Sequence, residues 1–293
     1  MITGLRRSAL YIPGDSEKML RKAADLPADV VLLNLEDGVS AALKDQARDN
    51  VARALSQVDF GRREVVVRVN LLASETGKRD LAAVVPLRPD GLCLPKVESP
   101  AEVGAADAAV LEIELASGLA EGELRFHAMI ESARGLLGAA GIASASPRMA
   151  TLVFGSADYA ADLRCRPGED RTELGFALSQ IVLAARAAGI DAIDAPCFDV
   201  RNLERNGREA EAARRLGFDG KSALHPGQLP ACNAIFGVTP EEVAWARAVL
   251  AELEQAERCG RSLSLLEGQL IDDPHRAAAR RILQRAAAAG AET

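Results

Sequence analysis

The sequence predicts a (β/α)8 barrel of the TIM type with a C-terminal helical appendage. Three observations carry this. Short apolar runs rich in Val, Ile and Leu alternate with amphipathic helical stretches, which implies a parallel sheet covered by helices. Eight such runs fall within about 225 residues, the arithmetic of a closed eight-stranded barrel. Polar and charged residues gather just after the runs, where barrel enzymes assemble their sites. A doubly wound open sheet would show a glycine-rich first turn. The first turn here is Pro13-Gly14-Asp15, and no GxGxxG follows a strand.

The first strand is residues 8–12 (SALYI), followed by a helix over 16–24. The second, 30–35 (VVLLNL), runs into Asn34-Leu35-Glu36-Asp37, and a helix covers 44–55. The third, 65–69 (VVVRV), ends in Arg68-Val69-Asn70, and the fourth, 91–94 (GLCL), in Pro95-Lys96 before a helix over 100–116. The fifth, 126–130 (FHAMI), ends in Glu131-Ser132, and the sixth, 151–154 (TLVF), in Gly155-Ser156-Ala157-Asp158. After a helix over 173–188 come strand seven, 192–195 (AIDA), with Asp194, and strand eight, 222–224 (SAL), ending in His225-Pro226. Thr239-Pro240-Glu241-Glu242 then reads as a capped helix start, and that helix runs to about Cys259. The reading is therefore a catalytic barrel over 1–238 and a helical lid or oligomerisation appendage over 239–293.

Composition narrows the function. The 293 residues carry 42 acidic and 35 basic side chains, a net charge of −7, which argues against a nucleic-acid-binding face. Aromatics at 3% leave little for base stacking. No stretch reads as a secretion signal or a membrane span. Cys93, Cys165, Cys197, Cys232 and Cys259 form no CxxC pair and are expected to be buried, reduced thiols, which points to the cytoplasm.

The strand ends carry chemistry. Glu131 and Asp158 on neighbouring strand ends can meet one cation, and hard oxygen ligands without clustered His or Cys favour Mg²⁺. Arg68 interrupts an apolar strand, so it needs an anion. That anion is either a substrate carboxylate held bidentately or an internal partner, Glu36 or Asp37. Lys96 invites a Schiff-base reading, against which Pro95-Lys96 alone is slender support. His225 reads as a structural hydrogen-bonding residue, His127 as a core residue and His275 as solvated.

The ordered motifs RSALYIPGD, LNLEDGV, VVVRVN, LPKVES, MIESARG, FGSADY, GKSALHPGQ and LLEGQLIDDP resemble the citrate lyase beta-subunit-like family, which includes malyl-CoA and citramalyl-CoA lyases. The resemblance runs from about Arg7 to Leu283. It implies a (β/α)8 barrel, Mg²⁺, an acyl-CoA substrate cleaved to acetyl-CoA and a 2-oxo acid, and a homo-oligomer, a trimer or a multiple of one. By motif, Glu131 and Asp158 resemble the metal ligands, and Arg68 the arginine that grips the oxo-acid carboxylate. Glu36 and Asp37 resemble acids that hold metal-bound water and orient that arginine. Arg7, Pro13, Gly14 and Lys18 resemble the region near the CoA phosphates and adenine; Lys96 is counted with the substrate-binding residues. Asp272 resembles an acid in the C-terminal lid that reaches a neighbouring subunit's site and protonates the thioester enolate.

Two positions depart from the family pattern. Asn34 stands where Asp-Leu-Glu-Asp is usual, and Leu178 where an arginine is common. The other activities compatible with the motifs are a citryl-thioester lyase subunit acting on an acyl-carrier protein, malyl-CoA thioesterase or malate-synthase-like chemistry, and a non-catalytic acyl-CoA-binding barrel.

Overall fold

The computed structural model describes residues 4–290, so residues 1–3 and 291–293 of the two expected segments lie outside it. The chain forms two compact units. One is Arg6–Ile235; the other comprises, among the described residues, 4–5 and 236–290.

The first unit is a closed barrel of eight parallel strands in chain order, with β1 hydrogen-bonded to β8. Its strands are β1 (Ser8–Pro13), β2 (Val30–Asn34), β3 (Glu64–Arg68), β4 (Gly91–Leu94), β5 (Arg125–Ile130), β6 (Met149–Phe154), β7 (Asp191–Asp194) and β8 (Gly220–Ala223). Between them lie α1 (Glu17–Lys22), α2 (Lys44–Gln57), α3 (Glu75–Val84), α4 (Pro100–Ala116), α5 (Ala133–Ala143), α6 (Ser156–Asp162), α7 (Gly175–Ala188) and α8 (Leu203–Leu216), with α9 (Leu229–Ile235) after the last strand. Ser16, Ser74, Ser132 and Asn202 cap α1, α3, α5 and α8 with their side chains.

Parity decides what fills the barrel. Alternate residues of a strand share a face, and Ala9, Val30, Leu32, Val66, Cys93, Met129, Val153 and Ile193 point inward as one apolar cluster. Two residues earlier on the same face stand Glu64, Gly91, His127, Thr151 and Asp191. There Glu64 pairs with Arg6 (2.5 Å) and lies 3.3 Å from His127, and Arg6 also reaches Asp191 (2.7 Å). A polar floor therefore closes the N-terminal end of the barrel beneath an apolar middle.

The eighth strand begins at Gly220, earlier than the apolar run suggests, because Lys221 is a strand residue. Its ammonium is wholly buried yet paired with Asp194 (2.8 Å) and Glu209 (3.1 Å), and Arg171 adds a second cation to the group. Hydrophobicity alone hides a strand whose charge is neutralised internally.

The second unit pairs α10 (Pro240–Arg258) with α11 (Asp273–Ala288) around Ala246, Val249, Leu253, Ile271 and Ala279. The start of α10 carries a capping box between Thr239 and Glu242. A hairpin that the sequence reading missed joins the helices: β9 (Ser264–Leu266) and β10 (Gln269–Ile271). Its two turn residues, Glu267 and Gly268, have φ of 51° and 81°, the left-handed pair that a two-residue hairpin turn needs. Among the described residues no helix is long and apolar enough to cross a membrane.

Candidate active site

One further step of two residues along each inward face leads from the apolar middle to the barrel mouth. From Leu32, Val66, Met129 and Val153 it arrives at Asn34, Arg68, Glu131 and Gly155. These four residues, with Asp158 from the first turn of α6, line a cavity of about 370 Å³ that Tyr11, Pro13, Asp37 and Met129 also wall. The site is thus built on rigid strand ends rather than on long loops.

Glu131 is the centre of this layer. Its side chain is 1% exposed. One carboxylate oxygen accepts from the Lys96 backbone N–H (2.7 Å), while the other, Oε2, is buried and has no hydrogen-bond partner. Burial pushes its carboxyl up to about 7, against the pull of nearby Arg68. Gly155 makes room for it: a Cβ there would collide with the Glu131 carboxylate. Asp158 is half exposed, with Lys96 Nζ 3.8 Å from its carboxylate.

A buried carboxylate with a free oxygen, beside a second carboxylate that water reaches, fits one hard divalent cation. Among the described residues no three His, Cys, Asp or Glu side chains converge as a cage. Two protein oxygens with the remaining positions left to water and substrate is the arrangement that Mg²⁺ accepts and Zn²⁺ does not favour.

Arg68 has one of its two expected partners within the chain. Nη2 pairs with Glu36 (2.8 Å) and lies 4.0 Å from Glu131, so the internal partner exists. Nε is buried without a hydrogen-bond partner, so donor capacity remains for an anion in the cavity. The guanidinium also stands 5.7 Å from the Tyr11 ring centre. Burial raises the Glu36 carboxyl, with Arg68 pulling the other way. Burial also opposes ionisation of Asp37, but the Lys96 ammonium beside it prevails and holds its carboxyl below the usual range.

The segment 34–37 is held from several sides. Asn34 uses both ends of its amide: Oδ1 accepts from the Glu36 N–H (3.0 Å) and Nδ2 donates to the Asp37 carbonyl. Lys44 Nζ donates to the carbonyls of Leu35 (2.8 Å) and Glu36 (2.9 Å), and Asn70 Nδ2 to that of Leu35 (2.8 Å). From the sequence Asn34 is a departure from the family's Asp-Leu-Glu-Asp pattern; in place it is a donor that an aspartate cannot replace.

The other expected residues fall in different places. Pro13 lines the cavity. Gly14 is buried where β1 passes β2; its N–H donates to the Asn34 carbonyl (2.9 Å), and an added Cβ would stand 2.7 Å from that oxygen. Lys18 is exposed on α1. Arg7 precedes β1, at the opposite end of the barrel from the mouth, and pairs with Asp29 (2.8 Å), so the structure does not bring it to the cavity. Leu178 is a buried side chain of α7. His225 Nδ1 accepts from the Gly227 N–H (3.0 Å) and caps a short turn. His127 is buried in the floor, where its Nδ1 is 2.9 Å from the Thr151 hydroxyl. His275 is half exposed but not free in solvent, because its Nδ1 lies 2.6 Å from Asp272. Asp272 is the residue that precedes α11. Of the cysteines, Cys93, Cys197 and Cys232 are buried, while Cys165 is half-buried and Cys259 exposed. Burial pushes the Cys93 thiol up to about 12, which leaves it inert.

Known proteins resemble this chain along most of its length. The model of the HpcH/HpaI aldolase/citrate lyase family matches residues 7–226. A (3S)-malyl-CoA thioesterase of Cereibacter sphaeroides is 37% identical over 285 residues, 97% of this chain and 96% of its own length. The citrate lyase subunit beta of Escherichia coli is 38% identical over 288 residues, 98% of this chain and 95% of its own. Among solved structures, CitE of Mycobacterium tuberculosis in complex with magnesium, acetoacetate and coenzyme A superposes with a TM-score of 0.77 at 33% identity. That match covers 97% of this chain and 99% of the other. A family match from the first strand to the last, on a barrel whose mouth carries this acidic layer, has one meaning: the chain belongs to the HpcH/HpaI aldolase/citrate lyase family.

Proposed function

We propose that the protein is a Mg²⁺-dependent carbon–carbon lyase that cleaves a carboxylated 3-hydroxyacyl-CoA, of the malyl-CoA or citramalyl-CoA type, to acetyl-CoA and a 2-oxo acid. The observation that carries this is the cavity that Glu131, Asp158 and Arg68 line together, with Oε2 of Glu131 buried and without a hydrogen-bond partner at its edge. The magnesium complexes of the Mycobacterium tuberculosis relative, one with acetoacetate and coenzyme A, support the same reading.

Glu131 and Asp158 would hold the Mg²⁺. When bound, it supplies Lewis-acid stabilisation of the oxygens at the carbon–carbon bond that breaks. Arg68, which lines the cavity and keeps donor capacity beyond its pair with Glu36, is proposed to position the substrate's carboxylate, with Glu36 holding the guanidinium in place. Asp37 completes the acid rim with Lys96. The outgoing thioester enolate needs a proton at carbon, and Asp272 is the proposed donor, supplied by a neighbouring subunit of a homotrimer. The C-terminal segment 239–293 then serves as lid and oligomerisation appendage. Pro13, Gly14 and Lys18 are proposed to lie along the CoA. Free cysteines suit a reducing compartment, and the proposed location is the cytoplasm.

A second reading is hydrolysis of the thioester, which the malyl-CoA thioesterase relative favours. Incubation with malyl-CoA and citramalyl-CoA, with Mg²⁺ or with EDTA, followed by mass spectrometry, separates the two. Acetyl-CoA with glyoxylate or pyruvate, lost with EDTA and in Glu131→Gln, is the expected result. Free CoA with malate or citramalate selects hydrolysis. Intact substrates across the panel would sink both.

A further inference from the structure

Lys96 is unusual twice over. Its φ is 52°, a left-handed conformation that costs a residue with a Cβ about 1 kcal/mol or more. That conformation has two visible results. The Lys96 backbone N–H donates to Glu131 Oε1 at 2.7 Å, and the side chain returns over the same group of acids. Its ammonium lies 3.3 Å from Asp37, 3.7 Å from Glu36 and 3.8 Å from Asp158. One residue therefore orients one proposed metal ligand through its backbone and pairs with the other through its side chain.

The charges explain why this matters. Glu36, Asp37, Glu131 and Asp158 face Arg68 and Lys96, so the carboxylates outnumber the cations that pair with them and leave room for a divalent ion. Arg68 is buried, whereas the Lys96 side chain is 38% exposed on a flexible stem, so Lys96 is the cation that can yield its place.

We propose that Lys96 is a built-in competitor for the metal. Its ammonium satisfies Asp158 and Asp37 before the metal binds and so weakens binding of the bare ion. Once the ion is seated, the same positive charge helps to retain an anionic oxo acid beside it. Metal and oxo acid then hold well together and poorly apart. The inference rests on the lyase reading above and assigns Lys96 to no covalent step.

The test measures two affinities. Mn²⁺, a spectroscopic substitute for Mg²⁺, is titrated into the wild type and into Lys96→Arg, Lys96→Met and Lys96→Asn, with free Mn²⁺ read by electron paramagnetic resonance. Pyruvate is then titrated calorimetrically into each Mn²⁺-saturated protein. Asparagine tolerates the left-handed backbone, so Lys96→Asn removes the charge without adding strain. Both neutral variants should bind Mn²⁺ at least about tenfold more tightly, since they remove the positive charge 3.8 Å from the proposed ligand Asp158 that the ion must displace. The same variants should bind pyruvate several-fold more weakly, while Lys96→Arg stays within about twofold of wild type for both. These opposite movements are what a merely structural role would not produce. Unchanged Mn²⁺ affinity in the neutral variants, or both affinities falling together, overturns the proposal while leaving the lyase reading in place. A wild type that binds no Mn²⁺, with or without pyruvate, overturns the lyase reading and this inference with it.

Discussion

The smallest side chain at the barrel mouth sets the position of the largest acid. Gly155 lies against the Glu131 carboxylate, and only the absence of a Cβ leaves room for that carboxylate where it stands. Gly155→Ala should displace the carboxylate and weaken Mg²⁺ binding about tenfold or more, the scale on which groups that orient a metal ligand act. Calorimetric titration beside a circular dichroism spectrum checks that the loss is local. Asn34→Asp is a second case. The substitution adds a charge near the proposed metal but replaces the donor to the Asp37 carbonyl with an acceptor. Weaker Mg²⁺ binding is expected, because the segment that carries Glu36 loses its clamp; tighter binding would show that charge outweighs the clamp. The residues Arg68, Glu131 and Asp158 were legible in the sequence because charged groups after apolar runs are conspicuous. Gly155 and Asn34 were seen as motif letters only. Their roles depend on which atoms face them, and a linear pattern does not contain that.

At the scale of elements, α2 and α3 hold the loop that follows β2. Asp80 of α3 accepts from the Asn70 N–H (2.9 Å), from Asn70 Nδ2 (2.7 Å) and from Arg48 Nε of α2 (2.7 Å), and it is completely buried. Asp80→Ala should cost about 3 kcal/mol, since the buried Arg48 Nε and the Asn70 N–H lose their acceptor. Urea unfolding with an unchanged slope would attribute the loss to the native state. Activity should fall as well, because Asn70 steadies Leu35 and hence Glu36. Helices with long amphipathic stretches were easy to read: α4 runs over the residues expected from its Pro100 start. The hairpin of β9 and β10 was not. Three-residue strands carry too little periodicity to announce themselves, and the turn Glu267-Gly268 lacks the usual Asn or Asp before its glycine.

Across the whole barrel, the floor and the mouth treat charge differently. In the floor, burial alone would raise the Glu64 carboxyl, but His127 and Arg6 outweigh it and hold it far below the carboxylate range. Asp191, which shares Arg6, and the Asp90 carboxyl, raised by burial and by Glu64, complete the charged surroundings. A depressed acid stabilises the fold above its unfolded value of about 4.3, and that contribution disappears as the pH falls further. Glu64→Gln should therefore cost about 3 kcal/mol at pH 7, and the gap to wild type should narrow steadily below about pH 4. Thermal unfolding from pH 7 to pH 3 measures both curves; a gap independent of pH would place the loss in packing instead. The closed barrel was legible because eight apolar runs are visible in order, whereas its polar floor was not, since Glu64, His127 and Asp191 meet from three distant strands. The three tiers along each inward face also imply an asymmetry between two kinds of genetic change. Exchanging Glu131 for another residue alters one tier and leaves the apolar middle as it is. Deleting one residue inside β5 reverses the facing of every side chain beyond the gap: Met129 would leave the interior, and Glu131 would turn outward toward the helices. This architecture is therefore open to new chemistry by substitution and closed to it by changes of strand length.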